Sequence, residues 1–177
     1  MSENRKTRFE LHIRPMMRVV DRFKMLAVAG FDLWDFDDVK ERHADILSHL
    51  KSDMPPADFG GPWPNEWIAL FERWIDEEFP RLQLGQVDQS GYRVEPRNGQ
   101  IIISARGELP NENYRHWLSL ESVSSNTRDF TLFFEPPDDL TAAPQPFRIR
   151  ERFSKPDELL RISITDADGV KDFDFAV

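Results

Sequence analysis

The sequence contains no cysteine. This absence excludes disulfide bonds, thiolate zinc sites and thiol nucleophiles together. The chain also lacks the run of about 18 apolar residues that a membrane-spanning helix needs. Its charged first residues precede no apolar segment of the kind found in a signal peptide. We therefore expect a cytoplasmic protein without a membrane partner.

Positive charge is scarce as well. The 32 acidic residues outnumber the 23 basic residues and give the chain a net charge of −9. An acidic surface repels phosphate groups, so the composition predicts no nucleic-acid partner. Aromatic side chains, in contrast, are abundant, with 14 Phe and 5 Trp among 177 residues. This content supports a hydrophobic core and is not typical of a disordered chain.

The spacing of apolar residues predicts a helical domain over residues 1–84. After a short extended segment from Phe9, apolar residues recur every three or four positions, which predicts an amphipathic helix that Gly30 ends. A second helix is predicted over 37–51, before Met54-Pro55-Pro56, and a third over Trp67–Asp76. The apolar positions assigned to the first helix are Ile13, Met16, Val20, Phe23 and Ala27.

Alternation of apolar and polar residues predicts strands over residues 85–177. Asn98-Gly99 predicts a two-residue hairpin turn, because both residues tolerate positive φ. Seven strands at a spacing of roughly ten residues predict an antiparallel β-sandwich or barrel, and the sandwich is the preferred architecture. The predicted fold class is therefore α+β, with a three-helix domain packed on a β-sandwich domain. The predicted strands are Tyr92–Glu95, Gln100–Ala105, Tyr114–Val123, Asp129–Glu135, Phe147–Phe153, Leu160–Ile164 and Val170–Phe175.

Residues 9–82 resemble a c-type cytochrome domain that has lost its haem-attachment motif. The resemblance rests on Ile13-Arg14-Pro15, on Met54-Pro55-Pro56 and on Trp74-Ile75 in the closing helix. It implies a cytochrome-c-like helical fold. Where such a domain has Cys-x-x-Cys-His, this chain reads Asp21-Arg22-Phe23-Lys24-Met25, so covalent haem attachment is impossible.

The same resemblance identifies the positions of the two iron ligands as Met25 and Met54. Both residues are also ordinary candidates for a hydrophobic core, which is the favoured interpretation. We therefore expect no cofactor.

Two carboxylates in a turn, Asp166 and Asp168, are candidate calcium ligands. The bidentate glutamate of a calcium-binding loop is missing, so a plain hairpin turn is favoured. The acids Asp32, Asp35, Asp37 and Asp38 could supply a catalytic carboxylate pair. Capping of the following helix is the favoured role for them.

Exposed aromatic and basic residues are the candidate contacts for a partner protein. Trp63 lies between two prolines in a loop, where it could be an interaction hot spot or could fill the junction between the two domains. Trp34 is a second candidate. Arg148, Arg150 and Arg152 alternate along one predicted strand and could bind an acidic partner, although a solvated sheet face is favoured.

These observations favour a non-catalytic accessory protein that binds another protein, such as an oxidoreductase or a biosynthetic enzyme. No nucleophile elbow, phosphate-binding loop or dinucleotide motif is present. Two alternatives stay open. One is a ligand- or metal-dependent enzyme with a site between the domains, using carboxylates or His12, His43 and His116. The other is a protein that neutralises a toxin.

Overall fold

The computed structural model describes residues 5–52, 54–56, 58, 60–137, 143–156 and 158–175. The chain divides into two compact units, Met1–Leu82 and Gln83–Val177. The described part of the first unit is mainly helical, and that of the second consists mainly of strands. The predicted α+β class is therefore confirmed.

The helical unit begins with two short non-α turns. A π-helical turn spans Phe9–Ile13 and a 3-10 turn spans Arg14–Met16. Four α-helices follow in the described residues, rather than the three that were predicted. Their bounds are α1 Val19–Val28, α2 Phe36–Glu41, α3 His43–Ser52 and α4 Asn65–Asp76.

The prediction of one continuous first helix from Ile13 is wrong, and the segment before it is π-helical rather than extended. Met17 has an extended conformation, with φ −82° and ψ 105°, and this residue separates the 3-10 turn from α1. Because of the interruption, the apolar residues of α1 do not continue the buried face of the turns before it. Ile13 is buried as expected, but Phe23 of α1 is 62% exposed.

The predicted helix over 37–51 is in fact two helices, because Arg42 leaves the helical conformation between α2 and α3. Asp35 caps α2, and its Oδ1 accepts hydrogen bonds from the backbone N–H groups of Asp37 and Asp38 at 2.9 and 3.0 Å. The predicted capping role is confirmed for Asp35, and Asp37 and Asp38 lie in the first turn of α2, whereas Asp32 pairs with Arg22 instead. The end of α3 before Met54-Pro55 is confirmed as well.

Trp74 of α4 is the centre of the helical core. It is fully buried, and its ring centroid lies 5.1 to 6.1 Å from those of Phe9, Phe36, Phe71 and Phe79. Its indole N–H donates to the carbonyl of Pro80 at 2.9 Å, so the polar atom of this buried ring is satisfied. Trp74 of α4 therefore connects Phe9, in the first turn of the unit, to Phe79 and Pro80 near the end of the unit.

The second unit contains two sheets. The described strands number eight, because a two-residue strand precedes the seven that were predicted. One sheet has the order β4-β5-β7-β8, with β1 also paired to β5, and the other has the order β2-β3-β6. The strands are β1 Gln83–Leu84, β2 Arg93–Arg97, β3 Gln100–Leu109, β4 Arg115–Val123, β5 Thr127–Glu135, β6 Gln145–Ser154, β7 Arg161–Asp166 and β8 Gly169–Asp174.

Both sheets contribute side chains to one core. Phe130 of β5 and Phe153 of β6 have ring centroids 4.6 Å apart, and the Phe134 and Phe147 rings are 5.3 Å apart. The hairpin at Asn98-Gly99 is confirmed, with φ of 52° and 71°. A double-layered sandwich remains a prediction.

The prediction that all strands are antiparallel is wrong at one pair. The strands β5 and β7 are parallel, with Thr127 opposite Arg161 and Thr131 opposite Thr165. The strand between them in sequence, β6, belongs to the other sheet. The chain therefore leaves the first sheet after β5 and returns to it running in the same direction.

Candidate functional site

One face of the β2-β3-β6 sheet carries a concentration of arginines. Arg106 of β3 is the register partner of Arg148 on β6, and Ser104 is the partner of both Arg150 and Arg93. Directly paired residues of antiparallel strands project to the same side of a sheet, and positions two apart share a face. We call this side the arginine face. Its exposed arginines are Arg93, Arg97, Arg106, Arg148, Arg150 and Arg152.

The positive charge of the arginine face is only partly compensated within the described residues, by Glu95 and Glu108 on the face and by the Asp88 carboxylate, which interacts with Arg106. Two glutamates share the face, Glu95 and Glu108. Glu95 binds Arg93 at 2.5 Å. No ion pair to Arg106 or Arg148 is found in the part of the chain that the structure describes. Like charges directly opposite each other destabilise a sheet, so this pair favours binding of an external anion.

Three of the six arginines of the arginine face were predicted from the sequence as partner-binding candidates. Arg148, Arg150 and Arg152 were found because they alternate along a single strand. Arg93, Arg97 and Arg106 were missed, because only the strand register brings them beside the others. The available signal was the same alternation on the two neighbouring strands.

The helical unit contains a cavity of about 530 Å³, which we call the apolar cavity. Its walls come from α1, α3 and the Met54-Pro55-Pro56 segment, and Trp63 lines it as well. Eleven of the sixteen described lining residues are apolar. The volume lies in the range of small-molecule sites, about 300–1,000 Å³.

Met25 and Met54, the two positions assigned to iron ligands, line this same cavity together with His49. Thioether and imidazole groups can ligate haem iron. However, none of the buried side-chain atoms that lack a hydrogen-bond partner in the described residues belongs to a lining residue. The lining therefore shows no polar group that requires a metal. The expectation that the protein binds no cofactor stays a prediction.

The two tryptophans predicted to contact a partner lie inside the helical unit. Trp63 is only 7% exposed, and its ring packs edge-on against Trp67 at 5.6 Å between centroids. Trp34 is half-buried, and its indole N–H donates to the carbonyl of Met17 at 2.8 Å. Trp63 is therefore buried in the helical core rather than exposed, and a role for it in binding a partner stays a prediction.

Asp166 and Asp168 lie in the turn between β7 and β8, as the hairpin interpretation predicted. Asp166 is buried, and its Oδ1 accepts from the backbone N–H of Asp168 at 2.9 Å and also binds the ammonium of Lys171. Asp168 is exposed and binds the amide of Gln86 at 3.1 Å. A lysine ammonium therefore already occupies the position next to the buried carboxylate where a cation would bind.

Tyr92 completes this buried cluster. Its pKa is raised by burial and then by the nearby charge of Asp166. No hydrogen bond of ordinary length is found for the phenol oxygen or for Asp166 Oδ2 in the described residues, although the interaction between the two side chains contributes to the raised pKa of Tyr92. The cluster is thus a buried polar feature of the core rather than an open binding site.

The three histidines considered for catalysis have different environments. The Nδ1 atom of His12 accepts from the backbone N–H of Arg8 at 2.8 Å, and Nδ1 of His43 is 2.7 Å from the carbonyl oxygen of Lys40. His116 stacks on Phe147 at 4.8 Å, and burial lowers its pKa. Across the described ranges, no group of three or more histidine and carboxylate side chains is placed to hold a metal ion.

Comparisons with known proteins assign no role to these sites. No protein-family model, no curated protein and no solved structure matches the chain. In the described part of the chain, the helices are too short or too polar for any of them to cross a bilayer.

Proposed function

We propose that the protein is a non-catalytic accessory protein that binds an acidic surface of a partner protein through its arginine face. The observation that carries this proposal is the Arg106–Arg148 pair, two like charges in direct register on an exposed sheet face. The face is basic although the whole chain has a net charge of −9. This contrast supports a local binding role for the positive charge.

The chemistry of arginine supports carboxylates as the groups that are bound. A guanidinium is planar and can donate two parallel hydrogen bonds to one carboxylate. The six arginines come from three adjacent strands, so the sheet fixes their backbone positions and only the side chains need ordering on binding. A partner that presents several aspartates or glutamates would complement this surface.

A nucleic acid is the less suitable occupant. The acidic charge of the remaining surface repels a long polyanion, and Glu95 and Glu108 interrupt the arginines on the face itself. The proposal includes an oxidoreductase or a biosynthetic enzyme as the partner. It also includes a cytoplasmic location. The local bonds of His12 and His43 are consistent with a non-catalytic role.

The test measures how charge reversal on the arginine face changes the affinity for the partner. We would use the full chain to isolate proteins from the native cell extract, identify the partner, and measure its affinity for wild type, for the Arg106→Glu/Arg148→Glu variant and for Lys6→Glu. Lys6 is exposed and belongs to the helical unit, so its reversal is a control for a charge change outside the arginine face, at half the net-charge change of the double variant. Both arginines are exposed, so the variant should fold.

We expect an acidic partner whose dissociation constant rises at least about tenfold in the double arginine variant, about 1.4 kcal/mol, and changes little in Lys6→Glu. Affinity should also fall as salt is added. Equal weakening by Lys6→Glu would contradict the proposal. A labelled DNA duplex bound more tightly than the protein partner would contradict it too.

A further inference from the structure

The apolar cavity of the helical unit has the character of a binding site for a small molecule. Its floor is formed by buried core side chains, among them Leu33, Leu50 and Trp63. The Trp63 ring is fixed by edge-on contacts with Trp67 and Phe71, at centroid distances of 5.6 and 6.5 Å. The cavity therefore has a rigid aromatic and aliphatic base of the kind that apolar ligands pack against.

The rim is more adaptable than the floor. Met25 lies on α1 and is half-buried, and Met54 is 37% exposed. Methionine side chains are unbranched and polarisable, so they fit ligands of different shape. Placing two of them at the opening allows the rim to close on an occupant.

One wall of the cavity, α1, is incompletely packed. Each of its side chains is exposed or half-buried, although six of its ten residues are large and apolar. Asp21, Lys24 and Met25 of α1 line the cavity. The exposed large apolar residues of α1 lie outside the cavity. A ligand in the cavity would contact α1 through Met25 and the stem of Lys24, and would stabilise the helix through these contacts.

The polar lining residues indicate the charge of the ligand. The carboxylate of Asp21 is bound by Arg18 at 2.6 Å. The guanidinium of Arg42 lies 5.1 Å from the Phe31 ring centroid and 3.5 Å from Glu41. The other two charged lining residues, Lys24 and Asp45, have opposite charges, so the lining carries no net charge. The cavity therefore favours an uncharged ligand over an ionic one.

From these features we infer that the apolar cavity binds an uncharged, largely apolar small molecule, and that binding orders α1. This inference is independent of the arginine face, which lies in the other unit. A protein with both sites would bind its partner through one unit and a small ligand through the other.

The test uses the dye N-phenyl-1-naphthylamine, which is uncharged and fluoresces in apolar surroundings. It would be titrated into the full chain and into variants that fill or charge the cavity. Ala29 lines the cavity and is exposed, so Ala29→Trp should fill it. Met54→Lys places an ammonium at the rim. Val28 is 84% exposed and is not a lining residue, so Val28→Trp and Val28→Lys are matched controls.

We expect saturable binding of one dye per chain. Ala29→Trp and Met54→Lys should each weaken it at least about tenfold, and the Val28 variants should leave it within about twofold. Circular dichroism would verify that each variant is folded, and either cavity variant suffices for the test. Dye binding should also slow hydrogen exchange in α1 of the wild type.

Three results would overturn the inference. The wild type could show no saturable binding. The cavity variants could bind the dye as well as the wild type does. The Val28 variants could lose as much affinity as the cavity variants, which would place the dye on the outer surface of α1.

Discussion

Arg22 of α1 binds both carboxylate oxygens of Asp32, through Nε at 2.7 Å and a terminal nitrogen at 2.6 Å. The same guanidinium lies 4.5 Å from the centroid of the Trp34 ring. Because α1 contributes no fully buried side chain, this pair is a principal connection between α1 and the segment that leads into α2. The hydrogen bond from Arg22 also lowers the pKa of Asp32.

Asp32→Asn should loosen α1 selectively. The variant removes a charge-assisted pair that is partly exposed, so we expect a loss of about 1 kcal/mol in the free energy of unfolding of the helical unit. Hydrogen exchange should accelerate in α1 more than in α4. Urea unfolding and residue-resolved exchange would measure both effects, with the exposed Asp76→Asn as a control. Uniform acceleration in all helices would contradict the role of this pair.

The Asp32 pair also predicts a pH dependence with a definite sign. The folded state lowers the pKa of Asp32 from its ordinary value of 3.8. Its stabilising contribution is therefore present above pH 3.8 and is lost as the pH falls through the folded pKa. Protection of α1 from exchange should decrease across that acidic range in the wild type and change less in Asp32→Asn.

His116 predicts a second pH dependence, at higher pH. Burial lowers its pKa from the ordinary value of 6.5, so the unfolded chain takes up the proton first. Its contribution to stability is present above pH 6.5 and declines as the pH falls from there toward the folded pKa. His116→Phe should reduce the loss of stability between pH 7 and pH 5, as measured by urea unfolding at each pH. An unchanged slope in the variant would show that other groups cause the loss.

Lys171→Met should destabilise the strand unit through Asp166. The carboxylate of Asp166 is fully buried and the Lys171 ammonium compensates it, so removing the ammonium leaves a buried charge unpaired. We expect a loss of about 2–4 kcal/mol in the free energy of unfolding. Adding Asp166→Asn should recover most of it. Arg161→Met breaks exposed pairs with Asp172 and Asp174 and should cost less than about 1 kcal/mol.

Gly107→Ala should be poorly tolerated for a steric reason. A Cβ atom at this position in β3 would lie 2.5 Å from a ring carbon of Phe147 and 2.8 Å from the backbone oxygen of Gln86. Overpacking of this kind costs about 1–3 kcal/mol. Ser104→Ala on the same strand is the control and should change stability by less than about 0.5 kcal/mol. A Gly107→Ala chain as stable as the control would mean that the Phe147 ring moves freely.

The sequence predicted those features of the fold that depend on residues close together in the chain. The Asn98-Gly99 turn, the capping role of Asp35 and the proline stop after α3 each depend on a few neighbouring residues. The interruption at Met17 was not predictable in this way, because the apolar spacing continues through it. The spacing from Ile13 to Phe23 fits one helix, but the structure buries only its first part.

The candidate sites also divide into features that local sequence patterns predicted and features that depend on long-range packing. Alternation along one strand revealed Arg148, Arg150 and Arg152, whereas their juxtaposition with Arg106 depends on a register fixed by long-range pairing. The spacing of Met25 and Met54 gave no distance between them, and only the tertiary fold of the helical unit brings both to one cavity. Trp63 was ambiguous from sequence, because a loop residue can face either the core or the solvent.

The parallel pairing of β5 with β7 has a consequence for how the chain acquires its structure. Thr127–Thr131 of β5 gain their second neighbouring strand only when Arg161–Thr165 are in place. A chain that ends before residue 161 therefore presents an open strand edge, with free backbone donors and acceptors beside the apolar side chains of β5. Such an edge is prone to intermolecular association. Completion of the last two strands thus replaces this edge with that of β8, whose charged residues Lys171, Asp172 and Asp174 disfavour such association.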